Sequence, residues 1–526
     1  MKETSIHSGH PQIDSLFPRI RKFVAHNATD YNMFGRPVRG YRVPDTPSIW
    51  IRDNSDMMRA YKYWEPDITS MIDHFAEMQS GSGWFFDYFT MTPEKVPCER
   101  ENWAKYVRVP VEADVEYRFI KAVYQAWQAT GDDAWLRQLM PRIEKALSYI
   151  CTDPWRWDPG HKLVKRAFTI DTWDFDYTAG RHPWLNFQID DHTFWGIMHG
   201  DISGYYEAFG NVSTLYSVIG NARRARYWRL FAETFRRRAN RICFNGRFYT
   251  HQVHLVSVTI PGHDESRQLT LSNSMDINRG LATHTMATSI IREYQQRGKD
   301  LRAFAGWFSV DPPFPDGIFG DEKLVAGAYC NGGIMPLVGG ELARAAFEHG
   351  FEEYAVEQLL KYESLTQNGE SYLWYFPDGR HSTIETSTSP DASPSDAWGS
   401  SAMAYALIEG LAGVVDCSKL FRNVRLSPRW LAAGRDEAEV CCAYGASGAF
   451  IEYNFRHKSA AASMELDITG NAKIDLHLLL PEGKKAKRLS VNGKAVKFTN
   501  VKIERSPYLD ASFAVKKKAR ITVHYT

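Results

Sequence analysis

The stretch "TIDTWDFDYTAG", residues 169–180, sets Asp171, Asp174 and Asp176 around Trp173 and Phe175. Neighbouring like charges and aromatic rings that exclude water both raise a carboxyl pKa, as a general acid working near neutrality requires. Asp174, between the two rings, is the candidate acid. Asp171 equally suits a helix cap or an Asx-turn. A second carboxylate stands in "HSTIETSTSPDASPSDAW", where Glu385 follows a β-branched pair and precedes a Ser/Thr/Pro/Asp loop. Among small hydroxyl residues it stays ionised and can position a water, although the same segment also reads as an ordinary exposed loop.

Other residues have the chemistry to hold a polar ligand. In "IWIRDNSDMM", Arg52 can donate and Asp53 accept, so the pair can grip adjacent hydroxyls; a surface ion pair or cap is the plain alternative. Asn331 in "AYCNGG" begins a tight turn where backbone can approach a ligand or simply pack. Glu112 and Asp114 precede a helix, either as first-turn acids or as hydroxyl acceptors. Asp191 opens another helix that would face a cavity. Aromatics make up 13% of the chain, and several fall in turn-like segments: Trp84, Trp173, Trp184, Trp374 and Trp398. Flat aromatic faces on loops suit a sugar ring, whereas core filling accounts for most of the others.

The composition excludes several classes. Sixty-three Lys and Arg against 62 Asp and Glu leave a net charge of +1, so neither nucleic acid nor an anionic membrane is expected as partner. "ARRARYWRLFAETFRRRANR" carries Trp228, Phe231, Phe235 and Ile242 at helical spacing, so its arginines read as the wet face of an amphipathic helix. No apolar run is long enough to span a membrane, and "MKETSIHSGHPQID" lacks the apolar core of a signal peptide. Seven cysteines without CxxC spacing favour a reducing, cytoplasmic setting over a disulfide scaffold or structural zinc. GxSxG, HExxH, Walker A and GxGxxG are all missing. His192 and His199 in "DDHTFWGIMHGD" lack the spacing of a paired metal motif, so neither metal nor cofactor is expected.

The elements that must carry these residues are mostly helices. From about residue 55 to 412, apolar positions recur at three- and four-residue steps, broken by Gly-Asp, Gly-Asn or Pro. About a dozen helices in successive hairpins predict an (α/α)6 toroid, an inner ring wrapped by an outer one, over residues 1–417, with 1–45 as a leading arm. After residue 418 the texture turns to alternating and β-branched segments with an Asn-Gly turn in "SVNGK". That predicts a C-terminal β-sandwich, residues 418–526, whose lysines guard edge strands.

The order of these motifs carries a resemblance. "IWIRDNSDMM" resembles the W-x-R-D segment with which glucoamylases and related six-hairpin glycosidases grip their sugar. "DTWDF" resembles the D-x-W-E segment of glucoamylases and the S-G-W-D-F segment of trehalases, in which the carboxylate after Trp is the general acid. "YCNGG" is similar to a Tyr-x-Asn-Gly turn of these enzymes. "STIETSTSPDASPSDAWGSSAMAYALIEGLAGV", followed by "FRNVRLSPRW", resembles the closing part of bacterial α-L-rhamnosidases, where a Glu in T-x-x-E is the base. The resemblance covers roughly residues 45–526. It departs where the rhamnosidase R-x-E-R-x-G-W run is missing, where Asp replaces the glucoamylase Glu, and at "GRHP". It implies an inverting, exo-acting glycoside hydrolase on an oligosaccharide or glycoside, with Asp174 as acid and Glu385 as base about 6.5–9.5 Å apart. A polysaccharide lyase or unsaturated uronyl hydrolase, a phosphorylase and a non-catalytic glycan-binding protein are the competing readings. The sugar and the oligomeric state do not follow.

Overall fold

A computed structural model describes residues 2–43, 48–91, 105–182, 188–388 and 392–526. Trp184 lies outside the described residues. Twelve α-helices are present among them: α1 (Pro11–His26), α2 (Ile51–Tyr61), α3 (Ser70–Glu77), α4 (Val115–Thr130), α5 (Asp133–Thr152) and α6 (His199–Val218) in the first half, then α7 (Ala222–Cys243), α8 (Ser272–Asn278), α9 (His284–Asp300), α10 (Pro336–Glu348), α11 (Glu352–Leu365) and α12 (Ala397–Tyr405).

The even-numbered helices touch one another in a closed circuit, α2–α4–α6–α8–α10–α12 and back to α2, and the odd-numbered helices lie outside them. Burial follows that arrangement. Every residue of α2 is buried, whereas α5 buries only Leu136, Leu139, Ile143, Ala146 and similarly spaced residues. An inner helix has neighbours on all sides; an outer one needs a single apolar stripe. Local signals set the ends. Asp132 caps α5 by accepting from Ala134 N and Trp135 N, Asp396 caps α12, and Gly131 closes α4 in the left-handed region. Inner helices approach closely where glycine permits: a Cβ on Gly340 of α10 would lie 2.3 Å from the backbone of Ala402 in α12.

Two helices escape the periodicity reading. The segment read as a leading arm contains α1, which packs on α2, α11 and α12 as the outer partner of α2. Pro18 in its interior masks the signal. The other is α8, "SNSMDIN", a polar helix of 7 residues held by burial rather than by amphipathicity.

Beyond the ring, ten strands join in one open sheet: β1 (Ser5–His7), β2 (Val414–Asp416), β3 (Asn423–Leu426), β4 (Glu437–Ala443), β5 (Phe450–Lys458), β6 (Ser463–Leu479), β7 (Ala486–Val491), β8 (Lys494–Ala495), β9 (Thr499–Ile503) and β10 (Ser506–Tyr525). The ladders do not divide into the two separately bonded sheets of the expected sandwich. The reason lies in β6 and β10, 17 and 20 residues long, which pair along their whole shared length. β5 pairs with the first part of β6 and β3 lies parallel to a later part, so both belong to one hydrogen-bonded surface. The sheet begins at Val414 and also takes in β1, which pairs with β4 through Ile6↔Val440. Arg429 anchors ring to sheet, donating to Gly410 O at 2.6 Å and to Glu348 at 2.8 Å. No helix among the described residues is long and apolar enough to cross a membrane.

Candidate active site

The first turns of the inner helices converge at one end of the ring. Arg52 and Asp53 fall inside the first turn of α2, both buried. The Arg52 guanidinium meets Glu112 and, at 3.0 Å, Asp114 at the start of α4. Asp114 makes no capping bond to its own helix; its carboxylate serves Arg52 and Arg118 instead. Charges then alternate down the ring axis. Arg118 and Lys121 each reach Asp56 at 2.6 Å, and Arg59 joins Glu341. Burial opposes the charge of Arg52, yet Asp114, Glu112 and Asp174 hold its pKa well above the ordinary value. A charge chain of this kind specifies geometry more than it stabilises, because every member gives up hydration.

Asp174 lies at this mouth, on a turn closed by a bridge between Thr169 and Asp176. The turn is fixed from several sides. Arg166 donates to Trp173 O at 2.6 Å and pairs with Asp201 at 3.3 Å. Trp173 Nε1 donates to the Tyr329 hydroxyl at 3.0 Å, and its ring lies 5.7 Å from that of Trp398. Trp398 is itself set by its N–H, which donates to Asp56 at 3.0 Å. The Asp174 carboxyl retains partial solvent access, while protein mass around it and the nearby Glu112 charge push its pKa up to about 7. Arg52 opposes that rise and Asp176 adds to it. A second carboxyl, Asp201, is pushed up to about 6 by burial against the pull of Arg166.

The remaining candidates divide. Asp171 is buried with φ 45°; it accepts from Thr172 N and from Ser272 at the start of α8, while its own N–H donates to His251 at 2.9 Å. It pins the turn that carries Asp174, the Asx-type role, and is itself fully buried. Asn331 is also occupied: its Oδ1 accepts from Phe314 N, and its Nδ2 donates to the carbonyls of Phe314 and Leu324. Trp374 is buried, 6.4 Å from Tyr329. Trp84 packs on Phe86 and against Arg108. Asp191 stands on an exposed turn rather than at a helix start, since α6 begins only at His199. His199 is buried between Asp276 and Thr270, and His192 is exposed.

Glu385 lies in an exposed turn. Thr383 beside it and Lys323 hold its carboxyl below the usual range, so it is ionised. Among the described residues, no hydrogen bond or ion pair joins it to Asp174. The turn nevertheless stands on the same wall of rings: Ser382 N donates to Trp374 O, Trp374 leans on Tyr329, and Tyr329 holds Trp173. Tyr329 and Arg166 are additions to the residues expected from sequence. Tyr329 is visible there only as part of "YCNGG"; Arg166, in "VKRAF", carries no spacing signal at all.

No protein-family model matches the chain, and no curated protein does. Solved structures do match. An α-L-rhamnosidase from Dictyoglumus thermophilum superposes with TM-score 0.60 at 10% identity, covering 99% of this chain and 50% of its own. A Streptomyces avermitilis α-L-rhamnosidase complexed with L-rhamnose gives TM-score 0.56 at 12% identity, over 99% of this chain and 42% of its own. A GH63 mannosylglycerate hydrolase from Thermus thermophilus, in complex with glucose, gives TM-score 0.54 at 14% identity, over 75% of this chain and 99% of its own. The chain spans half or less of the length of these two rhamnosidases. At such identities the likeness is one of architecture: this chain has the six-hairpin glycosidase fold.

Proposed function

We propose that the protein is an inverting glycoside hydrolase that removes a terminal gluco- or rhamno-type sugar from an oligosaccharide. The observation that carries the reading is the Asp174 carboxyl, held at a pKa of about 7 beside Arg52 and Glu112 at the mouth of a helical ring. Such a group still holds its proton in about half of the molecules at neutrality and can deliver it. Asp174 protonates the glycosidic oxygen as its bond to C1 breaks; Glu385 takes a proton from the water that attacks the opposite face of C1. Glu385 is ionised and so able to accept a proton, and its turn adjoins the ring-lined wall of Trp374, Tyr329 and Trp173. Arg52 and Asp53 hold hydroxyls of the cleaved sugar, with Trp173 and Trp398 flanking it. The sugars named with the matched structures, rhamnose and glucose, support a hexose or deoxyhexose ligand.

The test is a panel of aryl glycosides and oligosaccharides, with the anomer of the first product read by NMR. Asp174→Asn should lower turnover of natural glycosides by about 10²–10⁴-fold while partly sparing activated aryl glycosides. Glu385→Gln should stop turnover with little change in ligand affinity. Retention of configuration, or a Glu385→Gln enzyme of normal rate, rules out the assignment. Appearance of a new C=C absorbance would identify a lyase, and phosphate-dependent turnover a phosphorylase.

A further inference from the structure

The mouth makes no use of α7, "ARRARYWRLFAETFRRRANRIC", which sets eight arginines against a single acid, Glu233, in a chain of net charge +1. Its inner face, Ala225, Trp228, Ala232 and Phe235, explains why polar residues line the outside. It does not explain why large apolar residues stand among them. Tyr227 and Leu230 are 49% and 47% exposed. With Trp157, Phe231, Lys162 and Arg238 they line an open groove of about 510 Å³. Its floor is aromatic: Trp157 stacks on Phe231 at 6.4 Å, and Tyr227 lies 6.1 Å from Phe231. Arg224 is paired with Glu144, and Arg236 donates to the carbonyls of Leu281 and Ala282. Arg223, Arg226, Arg229, Arg238 and Arg241 have no acidic partner among the described residues, nor has Lys162.

We propose that this groove docks an anionic polysaccharide, a chain bearing uronate carboxylates. Arginine binds carboxylate bidentately, and the C–H face of a pyranose packs on an aromatic ring. A sugar ring can lay its C–H face on this open aromatic floor, whereas the bases of a nucleic-acid duplex are stacked on one another and offer it no free face. The choice of a sugar polymer among polyanions rests on the glycosidase reading. The location suits the role. The hairpin at Trp157–Val164 runs on through Arg166 into the acid-bearing turn, and the chain leaving α7 leads to His251, which accepts the Asp171 N–H. Both segments that build the groove are thus continuous in sequence with those that fix the Asp174 turn.

Electrophoresis of the full chain through gels containing polygalacturonate or neutral dextran tests this, with Asp174→Asn run beside the wild type. Both proteins should be retarded by polygalacturonate and not by dextran, and added salt should weaken the retardation. Tyr227→Ala combined with Arg238→Ala, or Arg223→Glu with Arg226→Glu, should reduce affinity about tenfold or more while leaving aryl-glycoside turnover intact. Absence of retardation, double variants retarded as strongly as the wild type, or equal competition by a DNA duplex of the same charge overturns the proposal. Because binding is read without turnover, a retarded but inactive protein keeps the groove and sinks the hydrolase reading; an active, unretarded one does the reverse.

Discussion

At the scale of single residues, the proton affinity of Asp174 depends on its neighbours more than on itself. Glu112 raises the Asp174 pKa directly and also pairs with Arg52, whose charge pulls the other way. In the proposed mechanism protonated Asp174 is the active form, so kcat/KM should fall as pH rises through about 7. Glu112→Gln removes the like charge and frees the guanidinium. Both changes favour the carboxylate, so the alkaline limb should move to lower pH by about one unit or more; an unmoved limb would assign the titration to another group. The same shift has a stability sign. The folded state binds the Asp174 proton more tightly than the unfolded chain, so its contribution is lost as pH rises through the folded pKa. Asp174→Asn should therefore melt above the wild type at pH 8, though not at pH 4, in thermal scans at the two pH values. The raised proton affinity of Asp174 was legible because its type, its flanking rings and its like-charged neighbours are contiguous in sequence. Arg166 and Tyr329 were not, because they act through contacts formed only by folding.

At the scale of elements, the inner ring is assembled by close approach. Gly340→Ala forces a methyl toward the Ala402 backbone, where nothing flexible can yield. It should cost about 1–3 kcal/mol, measured as a lowered urea midpoint. Gly210, on an exposed part of α6 with nothing near its would-be Cβ, is the paired control: alanine there should stabilise by about 0.4–1 kcal/mol. Amphipathic outer helices such as α5 and α7 were legible as periodic stripes. α8 was not, since a helix buried on all sides needs no stripe. The Glu385 segment shows the other limit: a Ser/Thr/Pro-rich loop announces that it is irregular and leaves its position to the packing around Trp374.

At the scale of the whole molecule, ring and sheet were both legible from the change of texture near residue 418, but their connection was not. Pairing between residues as distant in sequence as Ile6 and Val440 leaves no local trace. β1 covers the edge of β4, and Ile6 is buried there. Removing residues 2–8 should bare that edge, lowering the melting temperature and promoting self-association visible by light scattering. The same ladder sets a schedule. A ribosome adds about 5–20 residues per second, so once β1 has emerged, on the order of a minute passes before β4 exists to receive it. During synthesis the early strand is an unmatched half of a clasp, and the cell must shelter it from other chains until the late half arrives.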